Sequence, residues 1–272
     1  MKNSIKLAPQ LILSMILLAL VCAQCAHAQG TDGLPDAPQA AAQAQAQKTD
    51  EVTVRSTPLN LLKDQKEIWT SPLRIRESNA LTPVFLVLGT TVLITTDHQV
   101  MSSSTLQNKS LNNEAVNASD GLAGAFIAAP AAIYGMGLIR HDDHASETGI
   151  LGGEAIADSL VVSEVIKIVS QRERPTVDNA KGKFFQTSVG YDSSFPSNHS
   201  IIAWSSAAVI ASEYGGPLTK ITAYGLATGV SLTRVIGLQH FPSDVLVGSA
   251  VGWLIGRYVV RHRSHWADLG SR

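Results

Sequence analysis

From Leu81 onward the chain is a succession of apolar stretches of helix length, separated by Gly, Pro, Asn and short charged runs, with no segment of strand-like alternation. Ser78 to Thr96 and Gly121 to Ile139 each run 19 residues without a charge. Stretches so long fit helices better than strands, which are usually far shorter. The spacing predicts helices near 81–96, 120–139, 150–173, 199–213, 218–233 and 243–261, and so an all-α helical bundle of about six helices. Segment 54–80, broken by Pro58 and Pro72, reads as a lead-in of loops and one brief helix that packs on the main body.

The two uncharged stretches come close to the ~20 residues a membrane span needs. Both are diluted by Thr, Gly and Pro, and the later stretches are interrupted by Glu154, Asp158, Glu164, Lys167, Lys220, Arg234 and Arg257. Charges facing lipid are costly, though tolerable inside a bundle. The balance favours an exported globular helical domain, with an inner-membrane protein whose site faces the periplasm as the alternative.

Residues 1–28 have the pattern of a signal peptide: Lys2 and Lys6, an apolar run from Leu7 to Ala23, then Ala26-His27-Ala28 at the cleavage position. Cys22 and Cys25 fall within it, so the mature chain rests on packing and not on disulfides. Residues 29–53 form an Ala/Gln-rich linker, 81–262 the helical domain and 263–272 a tail. A formal net charge of −1 and a pI near 6.7 provide no long-range field to gather nucleic acid, so any anion binding is local.

Three blocks concentrate charge in a chain that is only 16% charged. In the first, Lys167 to Arg174-Pro175, seven residues at about 100° each place Lys167 and Arg174 within about 20° of one another on a helix that Pro175 ends. In the second, Pro196-Ser197-Asn198-His199 leads into the apolar run from Ile201. It reads as a helix start whose unpaired amides suit an anion, with His199 in the first turn. In the third, Thr233-Arg234 closes one helix, and His240 precedes a helix that starts near Pro242. Asp244, four residues on, sits where a carboxylate can lie beside the imidazole. Taken singly, each block is better explained by a solvated basic helix end, a plain helix cap or chance spacing.

Together the blocks resemble the type 2 phosphatidic acid phosphatase superfamily, which also includes vanadium-dependent haloperoxidases. The family pattern is Lys, six residues, Arg-Pro; then Pro-Ser-Gly-His; then Ser-Arg, five residues, His, three residues, Asp, and all three spacings are met here. Asn198 stands where the family has glycine, as a residue that tolerates a left-handed backbone. Thr233 stands in place of serine and keeps the hydroxyl.

The resemblance implies a haloperoxidase-like helical fold and a phosphatase without metal or other cofactor. His240 would be the nucleophile, Asp244 its orienting partner and His199 the proton donor and later base. Lys167, Arg174, Ser197, Asn198 and Arg234 would bind the phosphoryl oxygens. The implied partner is a phosphorylated small-molecule or lipid substrate, with membrane association an option. The competing readings are a vanadate-dependent haloperoxidase and a non-catalytic phosphate-binding protein.

Other residues read as structural. His141-Asp142-Asp143-His144 fits a polar inter-helix loop better than a metal site, and Asp97-His98 fits a helix end. Glu154, Asp158 and Glu164 fit a polar helix face, and Trp204 and Trp253 fit the core. Contacts to the leaving group are expected from the less patterned region between Asp97 and Gly121.

Overall fold

The structure, a computed structural model, describes residues 52–74, 81–190 and 192–266. The expected signal peptide, nearly all of the linker and the last six residues of the tail lie outside these. The described residues form seven α-helices and no strand: α1 Thr57–Thr70, α2 Leu81–Met101, α3 Lys109–Arg140, α4 Asp143–Ser170, α5 Asn198–Glu213, α6 Pro217–Ile236 and α7 Pro242–Arg263. The all-α expectation is met, and α1 is the brief lead-in helix.

Local chemistry sets the boundaries. Asn108 caps α3 by accepting from the amides of Ser110 and Leu111 at 3.1 and 3.3 Å, so this helix begins well before residue 120. Asp142 caps α4 in the same way, accepting from Ala145 at 3.0 Å. His141 takes a left-handed conformation between the two helices. The His141–His144 run is therefore a helix junction. α4 ends at Ser170, where Gln171 turns left-handed, and not at 173. Pro217 and Pro242 open α6 and α7 at the helix start, the one place where proline lacks nothing.

α7 is the central element, and its closest neighbour is α5. Gly248, Gly252 and Gly256 form a stripe along α7 facing the backbone of α5. A Cβ on Gly248 would come within 2.7 Å of the Ser197 carbonyl oxygen, one on Gly252 would strike that of Ile201, and one on Gly256 would come within 2.5 Å of that of Ser205. Only hydrogen at these three positions lets the helices approach so closely. Around this seam Ile201, Trp204, Ala207, Val230 and Trp253 are buried, as expected for the tryptophans. Trp204 stacks on Tyr224 with ring centroids 5.6 Å apart and donates to Ser231 at 3.2 Å. Full burial of each such large side chain contributes about 1.5–3 kcal/mol.

α1 lies across α4 and the end of α7. Asp64 pairs with Arg263 at 2.5 Å, Asn60 donates to Glu154 at 3.1 Å and Gln65 donates to Asp158 at 2.7 Å. Glu154 and Asp158 thus lie on a polar face of α4, as expected, and α1 buries it.

α2, α3 and α7 are each long and apolar enough to cross a membrane. On α2 and α3 most of that length is outside the core, with Phe85, Val87, Leu88, Ile127 and Ile139 exposed.

Candidate active site

The three sequence blocks meet at one end of the bundle, where α4 stops and α5 and α7 start. The backbone amide of Ser197, the residue that caps α5, donates to the carbonyl of Asp244 at 3.2 Å. This bond fixes the start of α5, and with it His199, against the start of α7, just after His240. The Ser197 hydroxyl accepts from the Ser200 amide at 3.5 Å as the cap of α5.

His240 is buried in the short turn between α6 and α7. Its Nδ1 faces the carbonyl oxygen of Ser194 at 2.7 Å. A carbonyl can only accept, so Nδ1 carries the hydrogen and the lone pair sits on Nε2. Asp244, the partner expected from the sequence, is farther away, with Oδ2 3.7 Å from Nδ1. Its oxygens take shorter bonds from Ser194 Oγ at 2.5 Å, the Phe241 amide at 2.8 Å and Arg172 at 2.5 Å. The carboxylate therefore orients His240 through Ser194 more than by direct contact. Burial drives the His240 pKa down to about 4, against the opposing pull of Asp244 and with help from the charges of Arg174 and Arg234.

The cations arrive from three directions. Lys167, buried in the last turn of α4, donates to the carbonyl of Ser193, next to the residue that holds His240. Its pKa is lowered to about 8, first by burial and then by Arg174. Arg174 lies beyond the end of α4, so the shared helical stripe expected for it and Lys167 does not exist. Arg174 instead donates to Gln239 O at 3.1 Å and to Asp192 Oδ1 at 2.7 and 3.0 Å. Arg234 closes α6 as expected. It donates to Ser119 Oγ at 3.1 Å and Asp120 Oδ1 at 2.8 Å, and its buried Nε has no protein acceptor. A guanidinium with a spare buried donor is suited to an oxyanion.

His199 opens α5 in its first turn, and its Nε2 lies 2.9 Å from the same Asp120 oxygen that holds Arg234. Its pKa is lowered by burial and by the charge of Arg234, with Asp120 acting in the opposite sense. Asn198 departs from the expectation drawn for it. It is the first residue of α5 and has no positive φ, and its side chain turns away to Ser163 at 2.5 Å and Glu164 at 3.0 Å. It fastens α5 to α4. The Thr233 hydroxyl also stays within its own helix, donating to Gly229 O at 2.7 Å.

Six of the eight sequence-derived residues thus gather here: His199 and Arg234 share Asp120, His240 and Asp244 share Ser194, and Lys167 and Arg174 bond the residues next to Ser194 and His240. Ser197 and Asn198 contribute the helix start. The residues not anticipated are Asp120, Arg172, Asp192 and Ser194. Asp120 stands directly before an uncharged stretch, and a lone carboxylate in such a place requires a partner. That signal was present in the sequence, within the 97–121 region from which contacts were expected. Asp97, expected at a helix end, lies inside α2, is buried and pairs with Arg172 at 2.7 Å. His144, from the run set aside as a loop, pairs with Glu213 at 3.0 Å, away from this site.

The helical bundle thus gathers two histidines and three cations near its helix ends, a set of groups chemically suited to an oxyanion. The model of the PAP2 superfamily matches residues 149–267, a stretch that contains all three blocks, so that this part of the chain is similar to that superfamily. A lipid A 1-phosphatase from Porphyromonas gingivalis is 37% identical over 65 residues, which is 23% of this chain and 15% of that protein. The chain therefore matches only a small part of that relative's length. A solved structure, the transmembrane PAP2-type phosphatidylglycerolphosphate phosphatase from Bacillus subtilis, is 22% identical with a TM-score of 0.49, covering 65% of this chain and 93% of that one.

Proposed function

We propose that this protein is a membrane-associated phosphatase that cleaves a lipid phosphate or isoprenoid (di)phosphate through a phosphohistidine at His240, acting outside the cytoplasm. The observation that carries this reading is the His240 tautomer. With Nδ1 committed to the Ser194 carbonyl, Nε2 keeps its lone pair, in the field of Arg174 and Arg234.

In the first step Nε2 forms a bond to phosphorus while the ester P–O bond breaks, and His199 gives its proton to the leaving oxygen. In the second, water attacks phosphorus, His199 takes the water proton and the N–P bond breaks, releasing phosphate. Lys167, Arg174 and Arg234, with the amides at the start of α5, hold the equatorial oxygens and oppose the charge that builds there. Positioning and charge stabilisation are the main requirements of such a transfer, and fixed cations meet them without a metal.

Two observations favour a lipid. The outer faces of α2 and α3 are apolar over membrane-spanning length. An apolar groove of about 450 Å³ between α3 and α6, lined by Leu122, Phe126, Ile210, Leu218 and Leu226, begins two residues from Asp120. The name of the Porphyromonas gingivalis relative points the same way.

The test is phosphate release from p-nitrophenyl phosphate and from lipid and isoprenoid phosphates in mixed micelles, with and without EDTA, comparing wild type with His240→Ala and His199→Ala. The reading expects acid-labile ³²P on the wild type alone and loss of turnover in the His240 variant. Undiminished turnover in His240→Ala would overturn it.

A further inference from the structure

Among the described residues, the largest fully buried side chain is an arginine to which the mechanism assigns no task. Arg172 is 1% exposed, in the segment between α4 and α5. Its guanidinium lies between the rings of Phe241 and Phe184, 4.1 and 4.6 Å from their centroids. All three of its nitrogens are engaged. Nε donates to Gly182 O at 3.2 Å, Nη1 to Ser243 Oγ at 2.7 Å and to Asp244 Oδ1 at 2.5 Å, and Nη2 to Asp97 Oδ2 at 2.7 Å. Asp97 also accepts from the Ser243 amide at 3.2 Å and from its hydroxyl at 2.5 Å. The pocket has no slack. Gly182, at φ +58°, lies where a Cβ would stand 2.6 Å from the Phe241 ring and 3.0 Å from Arg172 Nη2.

Burying a cation and two carboxylates costs several kcal/mol per ion unless the geometry compensates. What this geometry achieves can be read from Asp244. Left to itself, a buried carboxylate beside a histidine closes into a contact ion pair and draws a second proton onto the ring. Here Arg172, Ser194 and the Phe241 amide hold Asp244 3.7 Å from Nδ1. Nδ1 is left to the Ser194 carbonyl.

We propose that Arg172 is a positioning residue that restrains Asp244 from pairing directly with His240, and that Asp97 of α2 holds Arg172 in place. This rests on the reading of His240 as nucleophile. It also makes α2 part of site assembly. α2 packs mainly on α7, so an otherwise outward-facing, membrane-length helix completes the support of the reactive histidine through one carboxylate.

The charged groups that act on His240 are Asp244 on α7 and Arg234 on α6, with Arg174 and Asp192 from the segment between α4 and α5, while Lys167 on α4 and Arg172 act on Asp244. Asp97 on α2 stands behind Arg172. In Arg172→Gln, Asp244 loses its cation and turns to His240. The imidazolium gains a partner, so its titration moves up and the acidic limb of kcat/KM moves to higher pH. The expected shift is about one pH unit, with kcat falling at least about tenfold and KM nearly unchanged.

The double variant Asp97→Asn/Arg172→Gln keeps the cluster's net charge and guards against simple misfolding. It is expected to melt near wild type yet keep the shifted limb. A well-folded double variant with wild-type kcat and pH profile would overturn the proposal. ¹⁵N NMR of the histidine rings reads the His240 tautomer and titration without substrate. If wild type hydrolyses nothing but His240 titrates higher in Arg172→Gln, the positioning role stands and the phosphatase reading fails. If turnover is normal and the titration does not move, the reverse holds.

Discussion

Replacing Gly248 by alanine tests how the α5–α7 seam sets the geometry of the site. The new methyl carbon would stand 2.7 Å from the Ser197 carbonyl oxygen, 3.2 Å from Ser200 Cβ and 3.4 Å from the Ser197 amide nitrogen. Two of the three are backbone atoms, so no side chain can rotate away. Relief to an ordinary contact demands a displacement of about 0.7 Å between the helices. Forced overpacking of this kind costs about 1–3 kcal/mol, partly offset by the better helix propensity of alanine.

The kinetic effect is larger, because the atoms that move carry the chemistry. Ser197 caps α5 directly before His199, and its amide bond to Asp244 O at 3.2 Å ties the two helix starts together. A misplacement approaching 1 Å between nucleophile and proton donor costs up to about 100-fold in rate. Gly248→Ala is therefore expected to lose roughly 10- to 100-fold in kcat while remaining folded, measured by phosphate release alongside thermal unfolding in detergent. Gly153→Ala is the control. Gly153 is exposed on α4, and a methyl there would meet nothing within 4 Å, so the same change stabilises by about 0.5–1 kcal/mol and leaves kcat alone. Equal behaviour of the two variants would refute the reasoning.

The remaining expectations concern pH and packing elsewhere. The proposed reaction needs His240 neutral, which holds above about pH 4, and His199 protonated, which fails as pH rises through a value below the ordinary 6.5. A kcat/KM profile with its maximum on the acid side of neutrality is expected, and a maximum above pH 8 would contradict it. Asp120→Asn weakens the partner shared by His199 and Arg234, lowers the His199 titration further and moves the alkaline limb to lower pH. Asp64→Ala leaves Arg263 without its closest carboxylate and loosens α1 by about 3–5 kcal/mol. Hydrogen exchange in α1 reports the loosening. Turnover is expected to persist, because α1 docks at the end of α7 roughly 28 Å from Asp244.

Helix content and order were legible in the sequence because apolar periodicity and punctuation by Pro, Asn and Gly are local signals. Six of the seven helices fall where those signals place them, and their ends differ where a cap overrides the apolar pattern, as Asn108 does for α3. The start of α5 at Ser197 was legible for the same reason. The path of the chain beyond Ser170 was not. The left-handed turn at Gln171 breaks the helical register that would align Lys167 with Arg174, and no residue type there announces it. Arg172, two positions from the arginine the motif marks, was hidden because its partners Asp97 and Asp244 are 75 and 72 residues away in sequence. Asn198 shows the converse limit. Its tolerance of a left-handed backbone is real in general, but Ser163 and Glu164 are there to take its side chain, and the backbone stays helical.

The carboxylates that hold the arginines decide how any oxyanion enters. Arg174 is in use by Asp192, and Arg234 with His199 is in use by Asp120, whose side chains are 74% and 55% exposed. On the proposed function, an arriving anion at the arginines exchanges places with two resident carboxylates that can swing into water. Its affinity there is then a difference between two sets of ion pairs, and weak retention of free phosphate is expected. Because the displaced charges resemble the incoming ones, the exchange also depends less on ionic strength than a naked basic cleft would.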